Sequence, residues 1–283
     1  MRPALPRRSV ACAALLLLAL AASPLPALAA PAAIPPPDSL ARQALERSPR
    51  HGEFVDVPYA GQVPLRSYVV YPERKDKAGV VIVIHEIYGL TDWIRGVADQ
   101  LAADGFIAIA PDLISGLGPG GGGTDSLASR DDVVKLVRSL TPEESAARLA
   151  AIRAWTAGVP AANGKVATLG FCWGGARSFA AAAASPPPQA AVVFYGSSPD
   201  SVLIEKVMAP VQGHYGGDDA RVYASIEPAK KRLAERKRSY EANIYDGAGH
   251  GFLRQQAGRE GANQKASEAA WPKTVAFLKK QLK

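Results

Sequence analysis

A chain of 283 residues, 48% of them hydrophobic, can bury one large core or two small ones. Its net charge of +7 raises nucleic acid as a partner, but the basic residues are scattered apart from "KKRLAERKR" (Lys230–Arg238). Leu233 and Ala234 fall at helical spacing within that run and no aromatic platform accompanies it, so it reads as the solvated face of a helix and nucleic-acid binding is set aside.

Residues 1–29 read as a targeting segment. "MRPALPRRSV" is a charged lead, "ACAALLLLALAA" is an apolar run too short to span a bilayer comfortably, and "ALA" (Ala27–Ala29) offers small residues for cleavage. The mature chain is expected to begin near Ala30, to be periplasmic or secreted, and to have no stable membrane insertion. Its charge would then be +4, since three arginines and no acid leave with the segment. Arg7 and Arg8 leave the export route open. Cys12 stands at the start of the apolar run rather than its end, which argues against lipid attachment. Once Cys12 is removed, Cys172 is the lone thiol and no intramolecular disulfide can form.

Residues 30–52 are rich in Pro and Ala and read as a flexible lead; residues 53–283 read as one domain. "LRSYVVYP" and the continuous apolar run "AGVVIVIHE" predict strands, the second central and parallel. "DWIRGVADQLAADG" predicts an amphipathic helix closed by Gly105, and "FIAIAPDL" a buried strand. "GLGPGGGGTD" (Gly116–Asp125) lacks the Lys-Ser/Thr ending of a phosphate loop and reads as a mobile surface loop. "SLASRDDVVKLVRSL" and "TPEESAARLAAIRAWTAG" predict helices, the latter opening on a capping box formed by Thr141 and Glu144 with Pro142 in the first turn. Strands "KVATLGF", "AAVVFYG", "APVQGHY" and "YEANIYD" then alternate with helices "GGARSFAAAAAS", "YASIEPAKKRLAERKR" and "ASEAAWPKTVAFLKKQL". Pro272 is expected to kink or restart the last of these. This alternation predicts an α/β fold of three layers, with a mostly parallel central sheet covered on both faces.

The chemistry concentrates at "GFCWGG" (Gly170–Gly175), a G-x-S-x-G elbow with Cys172 in the serine position. Between a buried strand and a helix, such a turn is strained, and glycines two residues either side avoid a clash. The helix N-terminus favours a thiolate, and the amide of Trp173 is placed for an oxyanion hole. "GAGHGF" sets His250 in a Gly-rich loop after a strand, and "YGGDD" sets Asp218 and Asp219 after the preceding one. Nucleophile, acid, histidine is the chain order of α/β-hydrolases. His51 lies in the lead, His214 within a strand as a core or edge residue, and His85 beside Glu86 at a strand end.

From about residue 54 to 281 the chain resembles the dienelactone hydrolase (carboxymethylenebutenolidase) family of the α/β-hydrolase fold. The resemblance rests on "HEIYGL" (85–90), "APDL" (110–113), "GFCWGG", "YGGDD" with Val222 following, and "GAGHGFLR" (247–254). It implies a Cys-His-Asp triad that opens unsaturated lactones with no metal or cofactor. Carried across, Cys172 is the nucleophile, His250 the base, and Asp219 the acid, since Val222 follows it by three; Asp218 is the runner-up. Glu86 matches a glutamate that helps deprotonate the thiol, the Ile87 amide a second oxyanion donor beside Trp173, and Arg254 an arginine that binds the substrate carboxylate. One departure stands out: the family's second carboxylate-binding arginine after "PDL" is absent, and Ile114, Ser115 and Gly116 follow instead. A one-arginine site favours neutral esters or larger lactones, and Arg95 and Arg130 are left as possible substitutes.

The expected protein is therefore an exported, monomeric hydrolase of a small-molecule lactone or ester. A general carboxylesterase or thioesterase with the same residues is the second reading, and a non-catalytic exported binding protein the third; the complete Cys/Asp/His set argues against the third. A thiol-redox role is weakest, because no resolving cysteine remains.

Overall fold

The computed structural model describes Met1, residues 33–59 and residues 61–283. Apart from Met1, the targeting segment read over residues 1–29 lies outside the described residues. The described domain is an eight-stranded sheet in the order β1-β2-β4-β3-β5-β6-β7-β8. The strands are β1 (Gly52–Val57), β2 (Leu65–Val70), β3 (Ala78–Ile84), β4 (Ile107–Pro111), β5 (Ala162–Phe171), β6 (Ala190–Phe194), β7 (Val211–Gly216) and β8 (Tyr240–Tyr245). β2 is antiparallel to both β1 and β4, and the other pairings are parallel. This is the α/β-hydrolase fold that the alternating pattern and the family resemblance lead one to expect.

Both faces of the sheet are buried, which explains the unbroken apolar runs. Along β3, Val81 and Val83 face a cluster with Trp93, Ile94, Phe106, Trp271 and Leu278, from α2 (Asp92–Ala103), the loop after it and α9 (Ala262–Gln281). Val80, Ile82 and Ile84 face the opposite cluster with Val133, Val137, Leu149 and Ile152, from α3 (Arg130–Ser139) and α4 (Pro142–Thr156). A third cluster lies where α5 (Trp173–Ala181) and α8 (Ile226–Glu235) cover β6 and β7.

Local chemistry sets the helix starts. The Thr91 hydroxyl accepts from the Ile94 amide at α2, and the Ser129 hydroxyl from the Asp132 amide at α3. α3 thus begins at Arg130, later than the sequence run at 126 suggests. At α4 both halves of the Thr141–Glu144 capping box form, at 3.1 and 2.8 Å.

Three departures from the sequence reading have physical causes. β1 adds an antiparallel edge strand before the first strand read from the pattern, and half-exposed Phe54 leaves it no clear alternation. α9 runs through Pro272 as one helix. Burial of Ala266, Ala270, Trp271, Thr274 and Leu278, with Trp271 Nε1 donating to Asp104 Oδ2 at 2.9 Å, holds it across the missing backbone bond. The glycine-rich loop is hydrogen-bonded internally, Gly116 and Gly118 both donating to the Gly122 carbonyl, and Asp112 pins its end by accepting from the Thr124 amide and hydroxyl.

Residues 38–46 of the segment read as a lead carry a 3-10 turn (Asp38–Leu40) and the short helix α1 (Ala41–Glu46), with Ala41 fully buried. Among the described residues the remaining α-helices, α6 (Ser201–Ile204) and α7 (Ala220–Tyr223), are single turns. No helix among the described residues is long and apolar enough to cross a membrane.

Candidate active site

The chain passes from β3 to β4 on one side and returns to β5 on the other, so strand order reverses between β3 and β5. The carboxyl ends of strands at such a point form a crevice, the usual ligand position in an open α/β sheet. Glu86 follows β3, Cys172 follows β5, Tyr195 follows β6, Asp219 follows β7 and His250 follows β8.

Cys172 occupies the turn from β5 into α5 with φ 54° and ψ −115°, a conformation that a residue with a side chain adopts at a cost. Its amide donates to the Phe194 carbonyl at 2.9 Å, which fixes the turn against β6. The glycines around it are required by space. A Cβ on Gly170 would stand 2.0 Å from the Gly174 carbonyl oxygen, and one on Gly174 would stand 2.3 Å from that of His85. Both obstacles are backbone, so relief requires the elbow itself to move. Gly174→Ala is therefore expected to destabilise the protein by about 3 kcal/mol or more and lower Tm by several degrees. Gly158→Ala is the control, since its Cβ would meet only the Trp155 carbonyl at 3.5 Å and should leave Tm nearly unchanged. Equal Tm values for the two variants in a thermal melt would show that the elbow is not tightly packed.

The structure brings His250 to Asp219: Nδ1 and Oδ2 are 2.5 Å apart. Asp218, the runner-up from sequence, instead points outward and pairs with Arg259 at 3.1 Å. Asp219 is buried and His250 half-buried. Asn263 orients the histidine loop by accepting from the Gly249 amide at 3.0 Å. Burial works against a charged imidazole here, but the hydrogen bond to Asp219 and the charges of Cys172 and Asp219 outweigh it, and the His250 pKa is pushed up to about 10. These groups favour the imidazolium between the aspartate and the sulfur, most strongly once the sulfur is ionised.

Glu86 is buried, and that burial pushes its carboxyl up to about 7 even though Arg254 and His250 pull the other way. Its Oε2 lies 3.0 Å from Arg254 Nε. The two groups are thus ion-paired without a well-aimed hydrogen bond from Nε, and among the described residues no hydrogen bond joins the carboxylate to Cys172.

His85 holds the backbone around it. Nδ1–H donates to the Glu86 carbonyl at 2.7 Å, and Nε2 accepts from the Leu113 amide at 3.1 Å, a pattern that needs the neutral ring. Burial lowers its pKa in keeping with that form. The same ring stacks on Trp173, with centroids 5.6 Å apart. Trp173 opens α5, so its amide has no acceptor within the helix. Ile87 directly follows Glu86 in the same crevice.

Arg254 is held on three sides. Besides Glu86, its Nη1 donates to Asp38 Oδ2 at 3.1 Å, and its guanidinium lies 5.2 Å from the centre of the Tyr88 ring. Arg130 covers Tyr88 more closely, at 3.8 Å, and its charge reaches Glu86. Of the two arginines left as substitutes, Arg130 comes to the site. Arg95 pairs with Asp92 and faces the Phe54 and Tyr68 rings.

Tyr195, Asp38 and Tyr88 were not singled out from sequence. Tyr195 is fully buried, has φ 41°, and its hydroxyl has no hydrogen-bond partner among the described residues. It lies edge-on to His250, with centroids 5.2 Å apart; burial first, then the charges of Glu86 and Cys172, push its pKa well above the ordinary phenol range. Its one sequence signal is its place at the end of the strand beside β5. His214, read as core, is fully buried with Tyr245, Gln212 and Thr274 on its ring nitrogens, and burial pushes its pKa down to about 3. A cavity of about 600 Å³ between α4 and α5 includes none of these groups. Among the described residues there is no cluster of three His, Cys, Asp or Glu that could hold a metal ion.

An α/β-hydrolase sheet with a cysteine elbow, a histidine–aspartate pair and a buried glutamate at its switch point defines a hydrolase of the acyl-transfer type. The dienelactone hydrolase family model matches residues 65–282, and the chain belongs to that family. It is a hydrolase acting on carboxylic esters or lactones. A Salmonella typhimurium protein with a provisional carboxymethylenebutenolidase name is 30% identical over 271 residues, covering 91% of this chain and 93% of its own. The carboxymethylenebutenolidase of Pseudomonas putida is 30% identical over 186 residues, 64% of this chain and 77% of its own. The crystal structure of a provisionally named dienelactone hydrolase from Klebsiella pneumoniae superposes with a TM-score of 0.69 at 25% identity, covering 81% of this chain and 98% of that one.

Proposed function

We propose that the protein is an exported cysteine hydrolase that opens a lactone or cleaves an ester through a thioester on Cys172. The observation that carries this reading is the Cys172–His250–Asp219 arrangement at the switch point, with Nδ1 of His250 held 2.5 Å from Asp219. Glu86 receives the thiol proton when substrate arrives, and the thiolate attacks the carbonyl carbon. The amides of Trp173 and Ile87 hold the resulting oxyanion. As the intermediate collapses, imidazolium His250 gives its proton to the departing oxygen.

Acylation removes the sulfur charge that helps raise the imidazole pKa, so His250 is then a competent base. It takes a proton from water, hydroxide attacks the thioester, and collapse regenerates the thiolate and the imidazolium. Glu86 returns its proton to close the cycle. Intact-protein mass spectrometry after exposure to a panel of lactones and esters tests the scheme. An acyl adduct on Cys172 is expected, and turnover with the adduct mapped to any other residue would sink it.

Glu86 gives a pH signature. With its pKa near 7, the proton-accepting carboxylate is present above about pH 7 and lost below it. The acylation rate should rise through pH 7 and then level. Glu86→Gln should remove that inflection and slow acylation by about 10- to 100-fold. Stopped-flow acylation by an activated ester from pH 5 to 9 reads both effects, and an unchanged inflection in the variant would assign it to another group.

Export rests on residues 1–29. Mass measurement of the mature protein after expression with those residues is expected to place its first residue near Ala30.

A further inference from the structure

Asp38 lies far from the site in sequence but is fastened to it. Its amide donates to the Arg254 carbonyl at 3.0 Å, and its carboxylate accepts from Arg254 Nη1 at 3.1 Å. The chain is anchored on both sides of it. Gln256 Nε2 donates to the Pro35 carbonyl at 2.8 Å. Pro36 and Ala41 pack over Gly96 of α2, where an added Cβ would stand 3.3 and 3.9 Å from them. Asp38 itself sits in a 3-10 turn, so its position is dictated by the backbone on either side of it. The Arg254 guanidinium is therefore bracketed by two carboxylates, Glu86 on Nε and Asp38 on Nη1, while its side chain is only 13% exposed.

We propose that Asp38 occupies the position a substrate carboxylate would take at Arg254, and so makes this hydrolase select esters and lactones without a free carboxylate. The proposal rests on the ester and lactone chemistry assigned to Cys172. An anionic arm reaching Arg254 must displace a carboxylate that the fold holds in place, or sit beside it with like charge, and either is unfavourable. A neutral polar arm meets neither obstacle. Asp38 acts as a built-in stand-in for the anion, and its removal should open the subsite.

The test compares kcat/KM for an unsaturated lactone bearing a free carboxylate arm with that for the same lactone bearing a primary carboxamide arm. The wild-type enzyme is expected to prefer the carboxamide. In both Asp38→Asn and Asp38→Ala, the carboxylate-to-carboxamide ratio should rise by about tenfold or more, chiefly through KM. Competitive inhibition by benzoate should tighten in parallel, a readout that a general loss of packing would not produce. A wild-type preference for the carboxylate, or an unchanged ratio in both variants, overturns the proposal; a ratio that instead falls in Arg130→Gln would place anion recognition on Arg130. Failure of the underlying chemistry has a different signature, namely no turnover of either lactone and no adduct on Cys172, and it removes the proposal with it.

Discussion

Cys172→Ala is expected to lower kcat/KM by about a thousandfold or more for any ester or lactone the enzyme accepts. In the proposed cycle the sulfur is the atom that bonds to the carbonyl carbon, and no neighbouring side chain can replace it. Tyr195 is fully buried with its pKa pushed well above that of an ordinary phenol, and Glu86 is engaged with Arg254. Cys172→Ser discriminates further. A serine hydroxyl needs a neutral base beside it, whereas His250, with its pKa pushed up to about 10, is held as imidazolium at neutral pH. Loss of the sulfur charge relieves part of that rise, but the Asp219 contributions remain, so the serine variant should still be slower by about a hundredfold or more. Steady-state kinetics on one activated ester and one lactone, with the acyl adduct followed by mass, read both variants. Retention of more than about a hundredth of the wild-type rate by Cys172→Ala would defeat the covalent scheme.

What the sequence disclosed was local. The elbow at Cys172 was legible because its geometry leaves no room for side chains at 170 and 174, and only glycine satisfies that. The strand-then-helix periodicity around it was legible because both faces of the sheet are buried, which writes long apolar runs. Asp219 and Asp218 stand side by side in sequence and differ only in direction, one toward His250 and the other toward Arg259, which follows from how the turn after β7 enters α7. Asp38 was not legible at all. It reaches Arg254 across 216 positions of sequence, and nothing in "PPPDSL" signals a partner. Tyr195 was hidden for a related reason: "VVFYG" reads as the end of a buried strand, and only the assembled sheet sets its ring edge-on to His250, within reach of the charges of Glu86 and Cys172. Arg130 illustrates how a missing motif can mislead. The position after "PDL" carries no arginine, yet the N-terminus of α3 brings one to Tyr88 from seventeen residues beyond Leu113.

Asp219→Asn should damage the rate on a scale comparable to loss of the sulfur, for an electrostatic reason with a separate stability signature. The carboxylate both orients the imidazole and supports its positive charge, and an amide of the same shape does neither with fidelity. Replacing such an orienting aspartate typically costs about 10⁴ in rate, and a loss of that order is expected here, against little change for Asp218→Asn, whose side chain pairs with exposed Arg259. The stability effect follows from the direction of the pKa shift. His250 is raised in the folded protein from 6.5 to about 10, so its imidazolium contributes stability that is fully present below pH 6.5 and lost as pH rises through 10. Asp219→Asn removes one of the groups responsible. The gap in Tm between wild type and variant should therefore be widest near pH 6 and close progressively toward pH 10. The half-exposed imidazole keeps the gap modest through solvent screening. Thermal melts across that range, with wild type, Asp219→Asn and Asp218→Asn side by side, make the test. A gap that widens toward high pH would mean that His250 is held neutral in the folded enzyme, and the order of proton transfers proposed for the first half of the cycle would have to be reversed.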